Sequence, residues 1–197
     1  ATLRAHAAEA PLHLVVGGDH SLATGSIAAE LQEAAAAGKR LGVVWFDAHA
    51  DCNTPETSPS GWVHGMPVAC CMGLGDAALT AQCPVRLDPA ALTYVGLRSV
   101  DPGETELIAR LGIDHFTSDD IRTGGIDRVI AFLREKYADY DLLHVSFDVD
   151  GLDPTHVPGT GTPVPDGVSL ADARTLLAAL GRMPSLRSVD LVEFNPE

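Results

Sequence analysis

The chain has 197 residues, 46% of them hydrophobic and 20% charged, and its formal net charge at pH 7 is −14. This composition is ordinary for one globular domain with a sizeable core, which we place over residues 1–197. The acidic balance argues against nucleic acid or an anionic membrane as a partner and suits a cationic small molecule, although an acidic surface also serves solubility alone.

Apolar runs typical of buried strands alternate with segments of helical pattern. The first half of the chain predicts a strand at 12–16, a helix at 21–37, a strand at 41–46, a loop at 52–63 and a strand at 92–96. The second half predicts a helix at 102–111, a helix at 119–136, a strand at 142–147, a loop at 153–167, a helix at 169–180 and a strand at 188–194. This alternation predicts an α/β fold, a three-layer α/β/α sandwich with a mostly parallel sheet.

Acidic and imidazole side chains follow three of these strands. Asp-Ala-His-Ala-Asp at 47–51 and Asp-Val-Asp at 148–150 each follow an apolar run directly, and Gly-Gly-Asp-His-Ser at 17–21 follows the first strand. Residues two apart in an extended chain point to one face, and parallel sheets gather ligands at the carboxyl ends of their strands. We therefore expect one site formed by His20, Asp47, His49, Asp51, Asp148 and Asp150.

The composition of this expected site points to metal ions. Four carboxylates crowded together repel one another and lose hydration unless cations neutralise them. Four carboxylates and two imidazoles balance two divalent ions and suit Mn²⁺ better than Zn²⁺, which prefers a tetrahedral nitrogen and sulfur set. The alternative is that each motif is only a surface turn, but three such motifs at strand ends favour two Mn²⁺ ions per chain.

The same motifs resemble the ureohydrolase superfamily and, within it, the arginase family, from residue 15 to residue 197. The resemblance implies the sandwich fold shared by arginases and related deacetylases. It also implies that the six residues bind a dinuclear manganese centre. The activity it implies is cleavage of the guanidinium group of L-arginine to L-ornithine and urea.

The loops carry the features that resemble arginases in particular. The resemblance assigns Asn53 and Ser60 to the α-carboxylate of an amino acid and Asp101, with Glu104 as a second contact, to its α-amino group. Thr162 belongs to a segment that resembles the lining of the guanidinium pocket. Asp101 before a proline is also a natural helix N-cap, a role that is compatible with amine binding.

Three residues have implied roles in the reaction. Glu193 pairs with the planar guanidinium cation, Asp148 passes a proton to the departing amine nitrogen, and His64 carries protons between the site and bulk water. The simpler interpretations are that His64 caps the helix that follows it and that Glu193 forms a structural salt bridge.

Rival functions stay open at this point. Trp62 stands where arginases commonly carry Asn, which bears on selectivity and leaves an agmatinase or guanidinobutyrase as an alternative. A deacetylase of related fold would use one zinc ion and fewer carboxylates. The third alternative is a non-catalytic fragment or binding module, because the N-terminal and C-terminal parts of the family fold have no counterpart here.

The remaining expectations concern environment and assembly. The cysteines form no Cys-x-x-Cys pair, which favours reduced thiols in a cytoplasmic protein, and no run is apolar enough to span a membrane. The resemblance implies a homo-oligomer, a trimer or a hexamer, for the full-length protein.

Overall fold

A computed structural model describes residues 12–196 of the chain. Six strands form a single sheet in the order β1-β6-β5-β2-β3-β4, and all neighbouring strands run parallel. The strands are β1 (His13–Val16), β2 (Leu41–Phe46), β3 (Leu92–Leu97), β4 (Asp114–Thr117), β5 (Leu142–Asp148) and β6 (Leu186–Val192). The predicted parallel α/β/α sandwich is confirmed.

Helices cover both faces of this sheet. They are α1 (Ala23–Ala36), α2 (Pro67–Met72), α3 (Ala77–Thr80), α4 (Pro102–Leu111), α5 (Ser118–Gly124), α6 (Ile126–Lys136) and α7 (Leu170–Leu180). Helices α1, α2 and α4 pack on the face that carries Val43 and Trp45, whereas α5, α6 and α7 pack on the face that carries Val44 and Phe46. Because β2 is buried on both sides, its sequence reads as a continuous apolar run.

Several elements differ from the sequence prediction. The helix expected at 119–136 is two helices, since Gly125 between them has φ +80°, a conformation that L side chains rarely adopt. The strand β4 was not predicted, because only Phe116 of its four residues is a large apolar side chain. Strand β6 lies two residues earlier than expected and leaves Glu193 just beyond its end.

The topology brings the polar motifs to one edge of the sheet. His20 lies in a single 3₁₀ turn after β1, Asp47 follows β2, Asp148 closes β5 and Glu193 follows β6. Register pairs Phe46 with Phe147, which places the carboxylates after β2 and β5 side by side. Among residues 12–196, no helix is both long enough and apolar enough to cross a membrane.

Candidate functional site

The first group of converging side chains surrounds the imidazole of His20. Its Nδ1 atom lies 3.1 Å from Asp47 Oδ2, 3.3 Å from Asp51 Oδ2 and 3.0 Å from Asp148 Oδ2. The nitrogen is buried and has no hydrogen-bond partner of acceptable geometry. One nitrogen carries at most one proton, so hydrogen bonding alone cannot satisfy three carboxylates that point at it.

A second group forms around His49 on the other side of Asp47. His49 Nδ1 lies 3.4 Å from Asp47 Oδ1 and 3.2 Å from Asp150 Oδ2. The ligand atoms of His20, Asp47 and Asp51 lie within 4.8 Å of one another, as do those of Asp47, His49 and Asp150. Asp47 therefore belongs to both groups and offers one oxygen to each.

The charges in this cluster are not balanced by the protein. Burial raises the pKa of Asp51 to about 7, with the charge of Asp47 adding to the effect, and the same two causes raise the pKa of Asp148 well above its ordinary value. Burial lowers the pKa of His49, because it favours the neutral imidazole. The hydrogen bonds and charges of Asp150 and Asp47 have the larger combined effect and raise the pKa of His49 to about 11. Four carboxylates share two imidazoles, and this donor set fits divalent cations that neutralise the excess.

The local backbone is shaped to present these groups. The Asp47 carboxylate accepts the His49 N–H at 2.7 Å, and the Asp148 carboxylate accepts the Asp150 N–H at 2.7 Å, so each motif is a tight turn closed by its own first residue. Asp51 and Glu193 adopt left-handed φ values of +49° and +60°. Such a conformation costs about 1 kcal/mol per residue or more and is characteristic of functional sites.

Arg98, which the sequence analysis did not predict, connects backbone segments at this edge of the sheet. The Arg98 guanidinium donates to the backbone carbonyls of Asp150 at 2.6 Å, Val164 at 2.8 Å, Gly151 at 3.1 Å and Leu152 at 3.2 Å. It thereby ties the segment after β5 to the loop at 153–167. No local pattern marks an arginine whose partners are mostly carbonyl groups more than 50 positions away.

A cavity of about 200 Å³ opens over both groups. Five of the six predicted metal ligands face it, and Asp47 lies fully buried beneath. The predicted substrate and proton-transfer residues Asn53, Ser60, His64, Asp101, Glu104, Thr162 and Glu193 all line it, as does Trp62. Among the described residues that line the cavity, none is a lysine or an arginine, so the cavity suits a cation.

The residues expected to bind an amino acid already contact one another. Asn53 Nδ2 donates to Asp101 Oδ2 at 2.8 Å, and Asn53 Oδ1 accepts from Thr57 at 2.9 Å. Glu104 is buried, and its two oxygens accept the backbone N–H groups of Cys52 at 2.9 Å and Asp101 at 3.0 Å. Each Glu104 oxygen therefore has one backbone donor, and the side chain also belongs to the cavity lining.

His64 and Thr162 both line the cavity and have different partners. Helix α2 begins after Met66 without a side-chain cap, so the helix-capping interpretation of His64 is wrong. His64 Nδ1 instead lies 3.7 Å from Asp19 Oδ2, and its ring meets the Trp62 indole edge-on at 5.4 Å. Thr162 Oγ1 donates to Asp150 Oδ2 at 2.8 Å and so contacts a predicted metal ligand.

Glu193 lies at the end of the cavity nearest His20. Its Oε1 accepts the His20 backbone N–H at 2.6 Å, and its own N–H donates to the Gly18 carbonyl at 2.8 Å. Burial raises the pKa of Glu193. Within residues 12–196 its carboxylate forms no ion pair within 4.0 Å, so the structural salt bridge considered as an alternative does not form there.

Comparisons with known proteins agree with this geometry. The chain is 50% identical to an arginase of Entamoeba histolytica over 182 residues, which cover 92% of this chain and 61% of that protein. It is 41% identical to an arginase of Bacillus caldovelox over 189 residues, covering 93% and 61% of the two chains. A crystal structure of Entamoeba histolytica arginase in complex with L-ornithine superposes with a TM-score of 0.94 at 47% identity, covering 98% of this chain and 67% of that one.

The chain thus spans about 61% of the length of these curated relatives. The model of the Arginase family matches residues 1–197, the whole of the sequence. Taken with the parallel sheet and the clustered carboxylates and imidazoles at its edge, this match shows that the chain belongs to the arginase family.

Proposed function

We propose that this chain carries the catalytic site of a dinuclear manganese hydrolase that converts L-arginine to L-ornithine and urea. The observation that supports this most is the pair of ligand groups that share Asp47 beneath a cavity lined by acids. The cavity lining includes Glu193, which contacts His20, and Asp101, which contacts Asn53. L-Arginine has a cationic group at each end, and two separate carboxylates in the lining suit it.

The proposed metal ligands are the two groups already described. His20, Asp47, Asp51 and Asp148 would hold one ion, and Asp47, His49 and Asp150 the other. When bound, two divalent cations supply positive charge that lowers the pKa of a water molecule and makes it nucleophilic at neutral pH. Manganese is favoured over zinc because oxygen donors dominate the set.

Glu193 is the proposed partner of the guanidinium group. A carboxylate accepts two parallel N–H bonds from that planar cation and so fixes its orientation. The His20 N–H bond to Oε1 holds the Glu193 side chain in place while leaving Oε2 free to accept. Orientation is the main contribution expected from this residue, because the delocalised guanidinium carbon is a poor electrophile and reacts only when it is held in line with the nucleophile.

Proton transfer is assigned to Asp148 and His64. Asp148, which lines the cavity, would take a proton from the attacking water and pass it to the departing amine nitrogen, so that the amine leaves uncharged. His64 lines the cavity with its side chain 28% exposed, and its imidazole can exchange protons with bulk water.

Recognition of the amino-acid end is assigned to the far side of the cavity. Asp101 would pair with the α-ammonium group, and Ser60 and the remaining Asn53 N–H would donate to the α-carboxylate. Glu104 is the proposed second contact, and its two oxygens also fix the backbone of Cys52 and Asp101.

A second candidate substrate has one observation in its favour. The Asn53 amide already donates to Asp101 and accepts from Thr57, so Asn53 itself has only one N–H left for a carboxylate. This arrangement favours agmatine, which has the guanidinium group and lacks the α-carboxylate. No corresponding observation favours a one-zinc deacetylase, because Asp51 and Asp150 extend the ligand set to two groups.

The test is urea release by the Mn²⁺-loaded chain from L-arginine, agmatine and 4-guanidinobutyrate, with metal content measured on the same samples. We expect two Mn²⁺ per chain and a clear preference for L-arginine. A preference for agmatine would replace the substrate, and one zinc per chain would revive the deacetylase. Bound manganese without urea from any substrate would make the chain a binding module.

The homo-oligomer and the cytoplasmic location stay predictions. Light scattering on the purified protein tests the oligomeric state.

A further inference from the structure

Trp45 is a fully buried side chain directly beneath the proposed metal site. It is the last residue but one of β2, and it points to the same face of the sheet as Asp47. Its indole Nε1 donates to Asp47 Oδ2 at 2.9 Å. Its ring stacks on the imidazole of His20 with centroids 4.0 Å apart and planes 10° apart.

The two contacts of Trp45 engage different predicted ligands. Asp47 Oδ2, which accepts the indole N–H, is also the oxygen that faces His20 Nδ1 at 3.1 Å. The indole N–H can only donate, and its bond to Oδ2 limits the rotation of the Asp47 carboxylate. A single rigid ring system therefore sets the position of Asp47 relative to the imidazole that lies beside it.

Ser146 completes the enclosure of the imidazole. Its hydroxyl hydrogen-bonds to His20 Nε2 at 2.8 Å, and it is the register partner of Trp45 on the neighbouring strand β5. His20 is thus held by a stacked ring on one face and a hydroxyl at Nε2, which leaves Nδ1 directed at the carboxylates. Partners of this kind fix the tautomer and orientation of metal-binding histidines.

We propose that Trp45 is a positioning residue for metal binding, which aligns the His20 imidazole and the Asp47 carboxylate through one side chain. The inference rests on the proposed metal site and goes beyond it by assigning a function to a residue that touches neither substrate nor metal. Loss of an outer partner of a metal ligand typically weakens metal affinity about 10- to 100-fold. The simpler role for Trp45 is filling the core, in which it packs with Leu92 and Tyr94.

The first experiment separates these roles with Trp45→Phe, which keeps an aromatic face and removes the N–H donor. Mn²⁺ affinity is measured from the free-ion electron paramagnetic resonance signal, and stability from melting of the metal-free protein. Tyr137→Phe is the matched control, because it removes a buried hydroxyl that contacts the Val43 carbonyl of the same strand at 2.8 Å but touches no predicted ligand.

We expect Trp45→Phe to lower Mn²⁺ affinity about 10-fold or more, with Tyr137→Phe within about 2-fold of wild type, although both variants lower the melting temperature. Equal affinity in Trp45→Phe and wild type overturns the positioning role while leaving the proposed function intact. Failure of the wild type to bind Mn²⁺ overturns the metal site itself and this inference with it.

A second measurement does not depend on the folding of a core variant. The chain has two tryptophans, so Trp62→Phe leaves Trp45 as the sole source of an indole N–H resonance in a ¹⁵N correlation spectrum. We expect this resonance to show slow exchange with solvent in the metal-free protein and to broaden beyond detection as Mn²⁺ is added. A rapidly exchanging indole, or one that persists at saturating Mn²⁺, contradicts the contact with Asp47 on which the proposal depends.

Discussion

Two buried polar clusters lie on the same face of this sheet, and only one of them has the character of a metal site. The upper cluster, at the strand ends, combines four carboxylates with two imidazoles. The lower cluster lies further down β5 and β6, where His144 hydrogen-bonds to Ser188 at 2.8 Å and approaches Asp190 at 3.3 Å. Asp190 also accepts the Ser26 hydroxyl.

The difference between the clusters lies in stoichiometry and access. The lower cluster brings one carboxylate to one imidazole, and each of them also contacts a hydroxyl group, so no group of carboxylates converges there. It does not line the cavity above the strand ends. Burial of Asp and His is therefore common to both clusters, whereas convergence of several carboxylates on one point below an opening distinguishes the proposed metal site.

The largest expected effect comes from Asp47→Asn, because this carboxylate is shared by both ligand groups. The neutral amide removes an anionic oxygen from each group, so we expect both metal ions to bind weakly and urea release to fall by about 100-fold or more. Metal content by elemental analysis and urea release on the same sample measure the effect. If Asp47→Asn keeps two Mn²⁺ per chain and wild-type turnover, the shared carboxylate has no such role.

Removal of metal should act on stability as well. The carboxylates of the upper cluster repel one another without a cation, so EDTA should lower the melting temperature and Mn²⁺ should restore it. Free Mn²⁺ at 100 times its dissociation constant stabilises the folded state by about 2.7 kcal/mol per site. Ca²⁺ at equal concentration serves as the control for ionic strength. Identical melting curves with EDTA and with Mn²⁺ would mean that the cluster does not bind the ion.

The lower cluster should give the opposite pattern on mutation. Asp190→Asn removes the charge beside His144 but no predicted ligand, so we expect the free energy of unfolding to fall by about 2 to 3 kcal/mol with Mn²⁺ content unchanged. Urea denaturation and elemental analysis measure the two quantities. Loss of Mn²⁺ from a folded Asp190→Asn protein would show that the two clusters are coupled and that the distinction drawn between them is too sharp.

The upper cluster was predictable from sequence because its information is local. Two of the three motifs place ligands two residues apart directly after an apolar run, and the strand ends of a parallel sheet meet at one edge. The partners that hold it were not predictable, because they are tertiary. Trp45 looks like any core residue of β2, and Arg98 acts through carbonyl groups more than 50 positions away. Likewise, β4 has no apolar pattern and depends on pairing with β3.

The smallest effect is expected at the rim of the cavity, where His64 differs from buried His144 in being open to solvent. His64→Asn should lower turnover about 10-fold with Mn²⁺ content unchanged, because proton exchange with water slows while the ligands stay in place. Added imidazole should restore part of the rate by replacing the missing side chain. His156→Asn, at another exposed loop imidazole outside this cavity, is the control and should have wild-type turnover. Wild-type turnover in His64→Asn would exclude proton transfer by this residue and leave its contact with Trp62 as its principal role.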